Sequence, residues 1–156
     1  MRIGHGYDAH RFCEGKKMVL GATQIDCKYG FLAHSDGDVL LHAVSDALFG
    51  AAGMRDIGFH YPDTSADFKD ADSGVLAADC IAKVREAGFE VDYIDVTVIA
   101  QYPKLSPFIE LMRENTAKVL GLDVSRVNIK ATTEEKMGFT GRLEGVRVHA
   151  VCLLKE

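Results

Sequence analysis

The sequence predicts a single α+β catalytic domain over residues 1–156, in which one mixed β-sheet carries its helices on one face. Three observations predict it. Stretches with strand-like alternation and stretches with helical apolar spacing interleave as β-β-α-α-β-α-β-β, with no internal repeat or low-complexity tract. At 156 residues and 47% hydrophobic composition the chain can bury one core, and no linker divides it. Helices on one face leave the other to be covered, and a partner chain is a candidate for that.

The opening stretch RIGHGYDAHRF, residues 2–12, alternates well enough for a strand despite its glycines, and a strand points Asp8 and His10 to the same side. KMVLGATQID, residues 17–26, suggests a second strand forming a hairpin with the first. Residues 33–50, AHSDGDVLLHAVSDALFG, hold two histidines and three aspartates, and Leu40, Val44, Ala47 and Leu48 recur at helical spacing. Ser35 or Asp36 can cap that helix. If it begins at Asp38, then Asp38, His42 and Asp46 stack along one stripe, so that one imidazole nitrogen binds a metal while a carboxylate orients the other.

Residues 55–72, RDIGFHYPDTSADFKDAD, are polar and broken by Gly58 and Pro62, which suits a functional or mobile loop. A capped, alanine-rich helix follows over 73–87, closed by Gly88. FEVDYIDVTVIAQ, residues 89–101, is dense in β-branched and aromatic residues and reads as a strand that Pro103 stops. Pro107 fits the first turn of a helix that runs to Gly121. The last two strands are VNIKAT, residues 127–132, and GVRVHAVCLL, residues 145–154, joined by a polar stretch over 132–144.

A net charge of -5 gives no general reason to bind nucleic acid or an anionic membrane, although a local basic cluster can still hold phosphate. Cys13, Cys27, Cys80 and Cys152 are scattered without a C-x-x-C pair, which points to free thiols in a reducing compartment. Every apolar run is interrupted before membrane-spanning length, and Met1-Arg2 leads straight into strand-like sequence with no signal-peptide core. A cytoplasmic protein acting on small molecules is expected.

Asp8-x-His10 on a strand together with His42 on a helix offers two nitrogens and one oxygen and leaves a fourth position open, the pattern of a catalytic zinc site. Taken singly, each residue also reads as an ordinary surface or core group, and spacing alone does not bring strand and helix together. A second constellation, KATTEEKMGFTGR over 130–142, mixes hydroxyls, carboxylates and cations among glycines, which suits a phosphate bridged to a carboxylate by Mg²⁺. It reads equally as a charged hairpin loop. A third, AQYPKLS over 100–106, pairs a lysine with backbone groups freed by Pro103.

Read together, GHGYDAHRF, LAHSDGDVLLHAVSDALFGAAGMRDIGFHYPDTS and IKATTEEKMGFTGRLEGV resemble, in order and spacing, the signature segments of the 2-C-methyl-D-erythritol 2,4-cyclodiphosphate synthase family. The resemblance spans nearly the whole chain. It implies a homotrimer with sheet faces meeting in its interior and active sites between adjacent subunits. It implies Zn²⁺ on Asp8, His10 and His42, and Mg²⁺ or Mn²⁺ held with the help of Glu135 at the diphosphate. His34 and Ser35 lie beside the sugar phosphate, with His34 and Thr133 stabilising the transition state. Asp56, Ile57, Gly58 and Asp63 wall the methylerythritol and ribose. Ala100, Lys104, Leu105, Ala131, Thr132 and Thr133 form the cytidine and diphosphate pocket, and Phe139 and Arg142 bind as well; Asp8 and His10 also face the substrate.

The reaction so implied is an intramolecular phosphoryl transfer on a cytidyl diphosphate substrate that releases CMP. Some family members enclose an apolar cavity on the three-fold axis, gated by an arginine and an acid; here Arg142 is present and His149 stands where the acid is expected. Fused forms carry a cytidylyltransferase, for which 156 residues leave no room. Two rivals remain on the residues alone: a zinc-dependent hydrolase of phosphoesters or nucleotides, which needs Asp38 or Asp46 as a positioned base, and a trimeric ligand-binding or metal-storage protein.

Overall fold

The structure is a computed structural model that describes residues 1–33, 35–62 and 72–156. Its strands are β1 (Arg2–Cys13), β2 (Met18–Val19), β3 (Gln24–Ile25), β4 (Gly30–Phe31), β5 (Glu90–Ile99), β6 (Val127–Thr132) and β7 (Gly145–Lys155). Its helices are α1 (Val39–Ala52), α2 (Ile57–His60), α3 (Ser73–Glu86), α4 (Ile109–Leu120) and α5 (Gly138–Gly141). Five strands form one sheet in the order β4-β1-β7-β5-β6, antiparallel except for the β5–β6 pair. The sheet is therefore mixed, as the interleaved elements predict.

Alternation decides the two faces. Val146, Val148, Ala150, Cys152 and Leu154 of β7 are buried on the helix side, while His149 and Val151 point the other way. α1 is the central helix. Leu40, Leu41, Leu48 and Phe49 are fully or almost fully buried, each contributing about 1.5–3 kcal/mol of hydrophobic stabilisation. It lies across β1 and β7, α4 packs on β6, and α3 closes the layer against both helices. The glycines of β1 explain how close α1 comes. A Cβ on Gly4 would fall 1.9 Å from the Ala47 carbonyl oxygen, and one on Gly6 would fall 1.9 Å from that of Ala43. Glycine is required there because helix backbone rests directly on strand backbone.

Two expectations are corrected. Residues 17–26 do not form a strand hairpinned with the first: β2 and β3 pair with each other, and β1 takes β4 and β7 as neighbours. A turn at Gly21 and Ala22, both with positive φ, splits that segment. The helix cap is neither Ser35 nor Asp36 but Asp38, whose carboxylate accepts the Leu41 amide. Among the described residues the stretches 55–72 and 132–144 hold only the four-residue helices α2 and α5, too brief to show a period of 3.6 residues.

Candidate functional site

Past Gly6, the alternation of β1 keeps Asp8 and His10 on the helix side, and the close seat of α1 brings His42 down onto them. One ligand atom from each of the three lies within 4.8 Å of the others. Asp8 Oδ2 is 3.1 Å from His42 Nδ1 and 3.2 Å from His10 Nδ1. Burial pushes the Asp8 carboxyl up, but its contacts with His10 and His42 outweigh this and hold it down at about 2. For His42 burial works against the charge, and the Asp8 carboxylate more than offsets it, so the imidazole is shifted up.

His10 Nδ1 is buried without a hydrogen-bond partner, since its approach to Asp8 lacks hydrogen-bond geometry. A buried nitrogen left over beside a carboxylate and a second imidazole is what a bound cation would satisfy. Two nitrogens and one oxygen with an open side suit a divalent metal such as zinc. The residues present thus fit the metal that the resemblance implies.

The far side of His42 is not oriented as the helical stripe predicts. Asp38 is fully buried and turned away: Oδ1 accepts the amides of Gly21, at 2.9 Å, and Leu41, at 3.1 Å, and Oδ2 accepts that of Ala22, at 2.7 Å. It ties the β2–β3 turn to the start of α1. Asp46 accepts the Ile57 amide at 2.7 Å and so holds α2 against α1. His42 Nε2 instead meets Ser73 Oγ at 2.9 Å, and Ser73 donates in turn to Asp36. Asp36 and Ser73 lie 37 residues apart, and no local pattern links them.

Around this centre, Asp56 caps α2 by accepting the Phe59 amide at 3.2 Å, which sets Ile57 and Gly58 on one turn. Ser35 Oγ accepts the Gly37 amide at 3.1 Å. His34 and Asp63 lie outside the described residues. At the other edge of the sheet, a pocket of about 430 Å³ brings together Ala100, Lys104, Leu105, Ala131, Thr132 and Thr133. Gln101, Pro103 and Ser106, from the same 100–106 segment, complete its walls together with Ile109, which the sequence reading did not single out. Glu135 sits beside Thr133, its carboxylate 3.2 Å from Thr133 Oγ1, and is not one of the three clustered ligands.

Phe139 stands by Arg147, whose guanidinium carbon is 5.7 Å from the ring centroid. Arg142 pairs with Glu144 at 2.7 Å. The acid beside that arginine is therefore its near neighbour in sequence, while His149 meets His5, Nδ1 to Nε2 at 3.0 Å, and the edge of Tyr7. The metal cluster and the pocket stand on one row of the sheet, Asp8–Val148–Val98–Ala131. Three strand spacings put them roughly 14 Å apart, with Val148 and Val98 fully buried between them. Among the described residues no helix is long and apolar enough to cross a membrane.

Comparison with known proteins agrees across the chain. A family model described as the YgbB family matches residues 1–155. The 2-C-methyl-D-erythritol 2,4-cyclodiphosphate synthase of Pseudomonas putida strain W619 is 59% identical over 154 residues, covering 99% of this chain and 98% of that protein. The bifunctional IspDF of Campylobacter jejuni superposes with a TM-score of 0.95 at 49% identity over 99% of this chain, which spans 42% of that longer one. The IspF of Plasmodium falciparum, solved as a CDP complex, gives a TM-score of 0.85 at 32% identity, covering 98% of this chain and 94% of that one. The chain belongs to the YgbB family, that of the 2-C-methyl-D-erythritol 2,4-cyclodiphosphate synthases.

Proposed function

We propose that this chain converts 4-diphosphocytidyl-2-C-methyl-D-erythritol 2-phosphate to 2-C-methyl-D-erythritol 2,4-cyclodiphosphate and CMP, a phosphorus-oxygen lyase step in non-mevalonate isoprenoid synthesis. The observation that carries it is the convergence of Asp8, His10 and His42 in a family whose curated members hold that activity. An oxygen of the 2-phosphate bonds to the β-phosphorus while the bond from that phosphorus to the bridging oxygen breaks, and CMP departs with the electron pair. The nucleophile is already an anion and needs no base, so positioning and charge neutralisation are the protein's work.

Asp8, His10 and His42 would hold Zn²⁺, and Glu135 would help hold Mg²⁺ or Mn²⁺. The chemistry these ions supply when bound is Lewis-acid neutralisation of phosphate charge. The pocket at Ala100, Lys104, Leu105, Ala131, Thr132 and Thr133 takes the cytidine and diphosphate; a cytidine nucleotide as ligand is supported by the Plasmodium falciparum relative, which was solved as a CDP complex. His34 and Thr133 stabilise the transition state. Ser35 and the turn at Asp56, Ile57 and Gly58, with Asp63, wall the sugar end, and Phe139 and Arg142 contribute to binding.

A homotrimer with active sites shared between subunits follows from the same reading. Two observations support it. Buried valines part the metal cluster from the pocket within one chain, and the outer sheet face exposes Ile3, Tyr7, Tyr93 and Val151. Sedimentation velocity is expected to give about three times the monomer mass; a monomeric, active protein would overturn the shared site. Four free thiols support a cytoplasmic location.

The hydrolase alternative is weakened, because both oxygens of the buried Asp38 are taken by the amides of Gly21, Ala22 and Leu41, and Asp46 Oδ1 accepts the Ile57 amide. The test is ³¹P NMR of the protein with the cytidyl diphosphate substrate and Mg²⁺, before and after zinc is stripped with a chelator. CMP and a cyclic diphosphate are expected, lost on chelation and restored by zinc. CMP with a linear phosphate would overturn the synthase reading.

A further inference from the structure

We infer that Ser73 and Asp36 form a positioning relay that fixes the tautomer of His42 and so sets the metal affinity of the site. This rests on the metal reading above. Asp36 is surrounded by donors: its Oδ1 faces the Asp38 amide at 3.1 Å and the Ser73 hydroxyl, and its Oδ2 faces the Ser73 amide at 3.1 Å. An ionised carboxylate only accepts, so the single hydroxyl proton of Ser73 goes to Asp36. Ser73 Oγ is then left as an acceptor toward His42 Nε2, 2.9 Å away. With a cation on Nδ1, His42 must carry its proton on Nε2 and donate it to Ser73. Its Nδ1 lone pair is thereby aimed at Asp8 and His10, where a cation would sit.

Ser73, the middle of the relay, is 1% exposed, and Asp36 and His42 are part-buried on either side of it. It also joins two helix starts, since Ser73 opens α3 and Asp36 holds the amide of Asp38, the cap of α1. Ser73 therefore acts through His42, without being a ligand itself.

The experiment measures zinc Kd by competition with a chromophoric chelator on full-length wild type, Ser73→Ala, Ser73→Thr and Asp36→Asn. Ser73→Ala is expected to bind zinc about 10- to 100-fold more weakly, and Ser73→Thr, which keeps the hydroxyl, to recover most of that loss. In the zinc-loaded protein, ¹H–¹⁵N correlation is expected to show the His42 Nε2 proton held against exchange in wild type and exchanging faster in Ser73→Ala. A Kd within twofold of wild type for Ser73→Ala, or unchanged exchange of that proton, overturns the relay. If Ser73→Ala fails to fold, Asp36→Asn decides: wild-type affinity there overturns the relay, and weakened affinity supports it. Wild type that binds no zinc would instead fail the metal reading.

Discussion

Strand β1 presents His10 to the helices and His5 to the open side of the sheet, and the two imidazoles meet unlike surroundings. On the inner face Asp8 lies against His10 and His42, a serine hydroxyl backs His42, and the carboxylate pushes His42 toward its protonated form. On the outer face His5 meets another imidazole, His149, with Arg147 close by. There burial and the positive charges of His5 and Arg147 shift His149 down. The same residue type becomes a candidate ligand or an outer-face imidazole according to strand parity and to what packs against it. A metal-ligating function is thus a property of the face a residue is given and of what the opposing helix brings to it.

The largest effect that sharpens this contrast is expected from His42→Ala, which should abolish stoichiometric zinc and lower cyclisation by roughly 100- to 1,000-fold, whereas His5→Ala should leave zinc content unchanged. Metal analysis of both variants checks it, and a zinc-replete His42→Ala would end the comparison. Next comes Gly6→Ala. Its new methyl would meet the Ala43 carbonyl, lifting α1 off the strand and costing about 1–3 kcal/mol in denaturant titration; an unchanged midpoint would mean that the helix seat is looser than the contact implies.

The smallest effect is one of pH. In metal-free protein His42 should titrate above the ordinary value of 6.5 and His149 below it. The His42 proton stabilises the fold fully below 6.5, and that contribution fades as pH rises through its raised value. His149 does the reverse: its neutral form is favoured, and stability falls as pH drops from 6.5 through its lowered value. Imidazole NMR titrations follow both, and zinc should silence the His42 transition while leaving that of His149.

Much of this was legible beforehand where a period or a dense composition reports on structure. Alternation in residues 2–12 and 89–101 finds β1 and β5, the apolar spacing after Asp38 finds α1, and the capped alanine-rich run finds α3. Those elements alone bring Asp8, His10 and His42 together. What escaped depends on single residues or on distant contacts. Starting α1 at Val39 instead of Asp38 turns that aspartate from a face residue into a cap, and no periodicity resolves one position. Ser73 meets Asp36 only through tertiary packing. Ile109 reaches the pocket from beyond the turn at Pro103, and Glu144 claims Arg142 from two residues away while the expected position holds His149.

The seat of α1 on β1 makes the ligand set a portable unit. Gly4-His5-Gly6-Tyr7-Asp8-Ala9-His10 reads as a seven-residue phrase in which two glycines receive a helix and two ligands follow on the same side. His42 directly precedes Ala43, the residue that meets Gly6. Ligand separation is therefore gauged by contact between main chains and owes little to the side chains of the surrounding core. A protein engineer could lay the same glycine-spaced strand beneath a histidine-bearing helix in another layered scaffold and expect the three ligands to converge without copying the rest of the molecule.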